Sequence, residues 1–153
     1  MTERVAAAHH IRPGRVSDLA ALFAVDAEAA RLGEQRLRAA CDGEHDELLV
    51  CEREGKISGF ILLSLVLNEG SIFSIAVCST ERRWGCGRRL LQAGTDALRR
   101  RGASRALLEV RRSNGAAIAL YESAGFTIDG VRRGYYRSGA EREDALLMSR
   151  ALD

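Results

Sequence analysis

Hydrophobic and polar residues follow two distinct periods along this chain. Behind Ser17, the run DLAALFAVDAEAARL sets Leu19, Leu22, Phe23 and Ala27 at helical spacing, with Ser17 in the position of an N-cap. A more charged helix is predicted over residues 34–41, and a first strand near residues 5–12. ELLVCERE reads as a strand, EGK (54–56) as a tight turn and KISGFILLSLVL as the second strand of a hairpin. NEG (68–70) turns the chain again into SIFSIAV, another strand. Helical spacing returns at Leu90, Leu91, Gly94, Ala97 and Leu98, and Gly102 stands where a helix C-terminal glycine belongs. RALLEV is a strand, residues 114–124 form a short helix ended by Gly125, and FTIDGVRR and EDALLMSRAL close the chain as two strands. The order β, α, α, three strands, α, β, α, β, β predicts an α/β sheet of mixed strand direction with helices on its faces. No repeat or low-complexity linker interrupts it, so one domain is expected over residues 1–153.

Composition narrows the function classes. At 153 residues and 46% hydrophobic, the chain can bury a real core. Twenty-three Lys and Arg against 21 Asp and Glu leave a net charge of +2, too little field to draw it to nucleic acid or a membrane. The 5% aromatic content also argues against a nucleic-acid binder. Arginine pairs such as Arg82-Arg83, Arg88-Arg89, Arg111-Arg112 and Arg132-Arg133 read first as solvated faces. The opening MTERVAAAHH has no sustained apolar stretch, so no signal peptide or membrane span is expected. Cys41, Cys51, Cys78 and Cys86 lack paired metal spacing, and His9, His10 and His45 do not cluster with them in sequence. The expectation is therefore reduced thiols, no metal and a cytoplasmic location.

One stretch asks for more than packing. In ERRWGCGRRLL, Gly85 and Gly87 are flanked by arginines just ahead of a helix. Glycines permit backbone angles closed to other residues and let a ligand approach the chain closely. A helix N-terminus offers unpaired N–H groups and partial positive charge, which suits a phosphate. A plain tight turn is the alternative reading. The stretch is no P-loop, because Gly87 is followed by Arg88 and Arg89 instead of a Lys and Ser/Thr. Nor is it a dinucleotide fingerprint, since Leu90 stands at the third glycine's position.

Downstream, Glu109 interrupts the apolar strand RALLEV. Alternation places it with Leu107, while Ala106, Leu108 and Val110 share the other face. A strand joined to a crossover helix is usually buried on both faces, where a carboxylate is costly unless paired or used. A salt bridge to Arg111, a strand end in water and a catalytic base all remain open. Asn114 and Tyr121 share one face of the next helix. Asn114 suits an N-cap, and Tyr121 a core aromatic with a hydrogen-bonded hydroxyl. Polar groups of the strand end and this helix would meet where α/β sheets usually bind ligands.

Taken together, SIFSIAV, ERRWGCGRRLL and LLEVRRSNGAAIALYESAGF resemble the GNAT superfamily of acetyl-coenzyme A-dependent N-acetyltransferases, over roughly residues 56–148. LEVRRSNGAAIALYESAGF followed by RRGYYRSGAEREDALLM is similar to the RimI-type ribosomal-protein-alanine N-acetyltransferases. The resemblance implies a mostly antiparallel central sheet of about six to seven strands flanked by about four helices. It implies that Ile75, Ala76 and Val77 pair with the pantetheine arm of acetyl-CoA like an added strand. Arg83, Trp84, Gly85, Cys86, Gly87 and Arg88 would wrap its pyrophosphate, Cys86 by phosphate contact, and Asn114 would hydrogen-bond the cofactor arm. Glu109 corresponds to the family's proton acceptor and Tyr121 to its proton donor. Tyr135 and Tyr136 would border the acceptor, which enters between residues 31–42 and 134–141. The acceptor implied is the N-terminal alanine of a small-subunit ribosomal protein. The chain lacks the proline–tryptophan motif such relatives carry between their first two helices, and has Gly134 where they often have asparagine. Two other readings are an acetyltransferase of a small amine (a polyamine, aminoglycoside or amino acid) and a non-catalytic acyl-CoA-binding module.

Overall fold

Each hairpin begins with a backbone angle that the sequence has to supply. Glu54 and Gly55 take φ values of 55° and 77°, the paired positive angles that a two-residue type I′ turn needs. That turn joins β2 (Asp46–Arg53) to β3 (Lys56–Val66). The next turn uses Leu67, at φ 57°, with Asn68, and β4 (Glu69–Val77) starts at Glu69. The reversal thus falls ahead of the predicted NEG turn, leaving Leu67 92% exposed at the tip.

The computed structural model describes residues 9–26, 29–43 and 45–153, and of residues 30, 31, 83 and 138 the backbone alone. Residues 5–8 of the predicted first strand, and Ala27, lie outside the described residues. β1 is His10–Pro13, pairing antiparallel with β2 from His10↔Glu52 to Pro13↔Leu49. It is an edge strand, where Pro13 costs no ladder bond.

Ser17 does not cap the first helix. It sits inside a 3₁₀ turn, Val16–Asp18, and the Asp18 carboxylate takes the Arg15 N–H at 2.8 Å. Arg12 adds two guanidinium bonds to Asp18, at 2.8 and 2.9 Å. A carboxylate as buried as Asp18 needs such a charged partner, and hydrogen bonding from Arg12 holds its pKa below the usual value. The predicted first helix is also broken, into α1 (Leu19–Val25) and a single turn, α2 (Ala29–Leu32). Asp26 between them is extended, in keeping with the preference of aspartate for helix ends. α3 (Glu34–Asp42), α4 (Cys86–Arg100), β5 (Arg105–Arg111), α5 (Gly115–Ser123), β6 (Thr127–Ser138) and β7 (Glu141–Ala151) complete the order.

The strands form one sheet in the order β1-β2-β3-β4-β5-β7-β6. β4 and β5 pair in parallel from Glu69↔Arg105 to Ile72↔Leu108, whereas β7 lies antiparallel between β5 and β6. The parallel pair is the crossover predicted around these strands, with α4 as its connection.

By contact density the chain divides into two units, Met1–Leu62 with Ser74–Leu90, and Leu63–Phe73 with Leu91–Asp153. In the first, Leu19, Leu22, Leu37, Leu48, Val50 and Phe60 form a buried core. In the second, Ala106, Leu108 and Val110 on β5 and Ala145, Leu146 and Met148 on β7 are buried. Gly70 there is required by space, since a Cβ would lie 2.7 Å from Leu98.

Candidate active site

The glycine turn belongs to the first unit. A 3₁₀ turn, Ser79–Trp84, is closed by Gly85 in the left-handed region at φ 75°, and α4 begins at Cys86. No atom lies within 4 Å of where a Gly85 Cβ would stand, so glycine is needed for its angle and not for space. The Gly85 carbonyl accepts the Arg89 N–H at 3.1 Å. The N–H groups of Cys86 and Gly87 lie ahead of that bond, at the start of α4. Trp84 and Arg88 are exposed at this turn, and the Arg83 side chain is outside the described residues. The Arg53 guanidinium lies 5.0 Å from the Trp84 ring and holds Glu81 at 2.8 and 2.9 Å. Ile75, Ala76 and Val77 are half-buried at the end of β4, and the Val77 carbonyl accepts from Arg82 at 3.4 Å.

Cys86 departs from the expected phosphate contact. Its side chain is fully buried, 3.5 Å from the Ser58 hydroxyl, so only its backbone faces the turn. The sequence separation of histidines from cysteines is likewise undone by folding. His9, Cys51 and Cys86 bring their ligand atoms within 4.8 Å of one another.

Glu109, Tyr135 and Tyr136 come together in the second unit, on the wall of a cavity of about 580 Å³. Phe73, Leu107 and Asp129 also line it. β5 is buried on one face only. Ala106, Leu108 and Val110 face the core, while Leu107 is half-buried and Glu109 exposed toward the cavity. The expected burial of both faces fails because Leu107 and Glu109 border the cavity. Glu109 is paired not with Arg111 but with Arg132, at 3.2 Å, because β7 inserts between β5 and β6 and carries β6 across to it. Arg111 instead meets Glu143 at 3.4 Å.

The two tyrosines owe their placement to an irregularity in β6. Register shifts between Arg132 and Tyr136, where Gly134 takes φ 59° and donates its N–H to Asp144 at 2.9 Å. Such a bulge re-aims side chains beside a site. Tyr135 and Tyr136 pack edge to face at 5.0 Å, with Arg132 4.7 Å over the first ring and Arg111 4.4 Å over the second. Arg132, Arg111 and Asp129 were missed by sequence reasoning, which saw the arginine pairs as solvated. Only for Arg132, three residues ahead of the tyrosine pair, was a local signal available.

Asn114 caps α5, its Oδ1 accepting the Ala117 N–H at 3.2 Å. Tyr121 is buried against Phe126, with ring centres 6.1 Å apart, and does not line the cavity. Burial, with the Tyr136 phenol a lesser cause, pushes its pKa up to about 12. It therefore stays protonated through neutral pH.

A mixed seven-stranded sheet, a glycine turn opening α4 and a carboxylate on a cavity wall make this an α/β protein. More narrowly, the chain belongs to the acetyltransferase (GNAT) family, whose sequence model matches residues 16–126. It is 40% identical over 134 residues to the ribosomal protein bS18-alanine N-acetyltransferase of Escherichia coli (strain K12), covering 87% of this chain and 90% of that one. The crystal structure of the ribosomal-protein-S18-alanine N-acetyltransferase from Escherichia coli superposes with a TM-score of 0.84 at 36% identity, over 95% of each chain. An N-alpha-acetyltransferase of Sulfurisphaera tokodaii is 38% identical over 116 residues, 67% of this chain and 68% of that one. Among the described residues, no helix is long and apolar enough to cross a membrane.

Proposed function

We propose that this chain, as one GNAT domain, is an acetyl-CoA-dependent N-α-acetyltransferase acting in the cytoplasm on the N-terminal alanine of a small-subunit ribosomal protein. The observation that carries the reading is Glu109, held on the wall of a cavity beside Tyr135 and Tyr136, in a chain 40% identical to an enzyme of that specificity. The residues at the glycine turn fit the coenzyme's pyrophosphate. Gly85 has open space around it, and α4 begins at Cys86 directly behind it.

Acetyl-CoA supplies an activated acetyl thioester. The backbone of Ile75, Ala76 and Val77 holds its arm, as does the Asn114 amide nitrogen, because the Asn114 oxygen is committed to the cap. Trp84, Gly85, Cys86, Gly87 and Arg88 surround the pyrophosphate, with Cys86 contributing its backbone N–H alone. Glu109 takes a proton from the acceptor's ammonium, because only the neutral amine is a nucleophile. Arg132 fixes the direction of that carboxylate. A backbone N–H of residues 75–77 donates to the carbonyl oxygen as charge builds on it. Tyr121, protonated at neutral pH, gives its proton to the departing sulfur. The reading involves no metal in this chemistry.

The test is acetyl transfer from acetyl-CoA to a panel of N-terminal peptides and small amines, read by mass spectrometry. A basic peptide beginning with Ala should be acetylated on its α-amine, and its N-terminally blocked form should not. If spermidine or a free amino acid is turned over with a kcat/KM well above every peptide, the small-amine reading replaces this one.

A further inference from the structure

Three side chains that acetyl transfer does not use converge inside the first unit. His9 precedes β1, Cys51 lies on β2, and Cys86 is the first residue of α4. One ring nitrogen of His9 and the two Sγ atoms all lie within 4.8 Å of one another. Both thiols are fully buried, and the His9 side chain is 4% exposed. Among the described residues, His9 Nε2 has no hydrogen-bond partner, and a Glu81 carboxylate oxygen lies 3.5 Å from it. A buried polar nitrogen without a hydrogen bond is destabilising.

We propose that His9, Cys51 and Cys86 form a binding site for a single divalent metal ion of the zinc class, with the Glu81 carboxylate completing the coordination. Two sulfurs, an imidazole nitrogen and a carboxylate oxygen are the ligand types that zinc takes in four-coordinate tetrahedral sites. Ligand atoms about 2.0–2.3 Å from such an ion stand roughly 3.3–3.8 Å from each other, so closing the site takes shifts of about an ångström. Charge also balances locally. Each thiol releases its proton to solvent as its sulfur bonds the ion, and two thiolates neutralise a divalent cation in a buried place. The imidazole binds neutral. Ser58, whose hydroxyl donates to the Cys51 carbonyl at 3.1 Å and lies 3.5 Å from the Cys86 sulfur, ties the backbone of one ligand to the side chain of the other. Arg53 holds the Glu81 carboxylate. The bound ion joins the start of β1, the middle of β2 and the residue next to Gly85, bracing the glycine turn from inside.

Cobalt(II) is the probe. The full chain, reduced and stripped with a chelator, is titrated with Co²⁺ and then Zn²⁺. The expected result is one Co²⁺ per chain, with thiolate-to-cobalt charge transfer in the near ultraviolet and tetrahedral visible bands. Zinc should erase both and raise the Tm. The bands should vanish in the Cys51→Ser/Cys86→Ser double variant and persist in Cys41→Ser/Cys78→Ser. His9→Gln, which keeps both thiols, should weaken cobalt binding at least about tenfold. Absence of the charge-transfer bands in folded, reduced wild type overturns the proposal, whatever the variants do. So does their survival in the Cys51/Cys86 double variant. A protein that forms a Cys51–Cys86 disulfide in air yet takes up no cobalt when reduced overturns it too.

Discussion

Glu109 and Tyr121 meet opposite environments, which suits the proposed roles of base and acid. Glu109 stands exposed on β5 with Arg132 at 3.2 Å, whereas Tyr121 is buried with its pKa raised to about 12. Tyr121→Phe keeps the ring against Phe126 but removes the proton. Turnover should fall about a hundredfold, with acetyl-CoA affinity near wild type by calorimetry. Normal turnover in this variant would remove Tyr121 from the acid role. The same substitution reports on stability at high pH. An unfolded tyrosine loses its proton near pH 10, while the folded one keeps it to about 12, so the unfolded chain binds fewer protons in that window. The contribution is fully present below pH 10 and is lost as pH rises toward 12, on the order of 2 kcal/mol. Urea unfolding of wild type should weaken more steeply between pH 9 and 11.5 than that of Tyr121→Phe. Parallel curves for the two proteins would contradict the burial argument.

At the scale of elements, two glycines hold the turn region for different reasons. Gly59 on β3 is confined by space. A Cβ there would lie 2.7 Å from the Ala76 carbonyl oxygen and 3.1 Å from the Cys86 sulfur. Because the nearest atom is backbone, Gly59→Ala must move β4 at the residues assigned to the pantetheine arm. A loss of about 1–3 kcal/mol in denaturant unfolding is expected, together with weaker acetyl-CoA binding. An unchanged midpoint would mean that β4 yields freely. Gly87 lies instead in the first turn of α4, where the coenzyme's phosphates would approach. Gly87→Val should weaken acetyl-CoA at least about tenfold, roughly 1.4 kcal/mol, while leaving the fold intact. Equal affinity in a folded variant would detach this turn from the coenzyme. On β6, the bulge at Gly134 sets the tyrosine pair over the cavity, so its φ of 59° matters for the acceptor side.

At the scale of the whole molecule, the proposed acceptor side is built by β5, β6 and β7 together through their register. Replacing Tyr135 and Tyr136 by Ala should raise the peptide KM far more than the acetyl-CoA KM, because both rings line the cavity beside Glu109. Steady-state kinetics with each substrate varied in turn would show this, and equal rises in both would place the rings elsewhere in the reaction. Much of the framework was legible in the chain order. Apolar runs bounded by turn residues located β2 to β5, and alternation set Glu109 apart as the polar break in β5. Asn114 announced its helix cap, and the glycines of the ERRWGCGRRLL stretch marked the start of α4. These are local signals, because strand and helix faces repeat within a few residues and caps act within one turn. What only tertiary structure decided lies between residues far apart in sequence. Strand order gave Glu109 to Arg132 in place of Arg111, and turned Cys86 inward to meet Cys51 and His9. A one-residue change of register would reverse the faces of Cys51, Glu109 and Arg132, and register is set by pairing between distant strands, which no local period encodes.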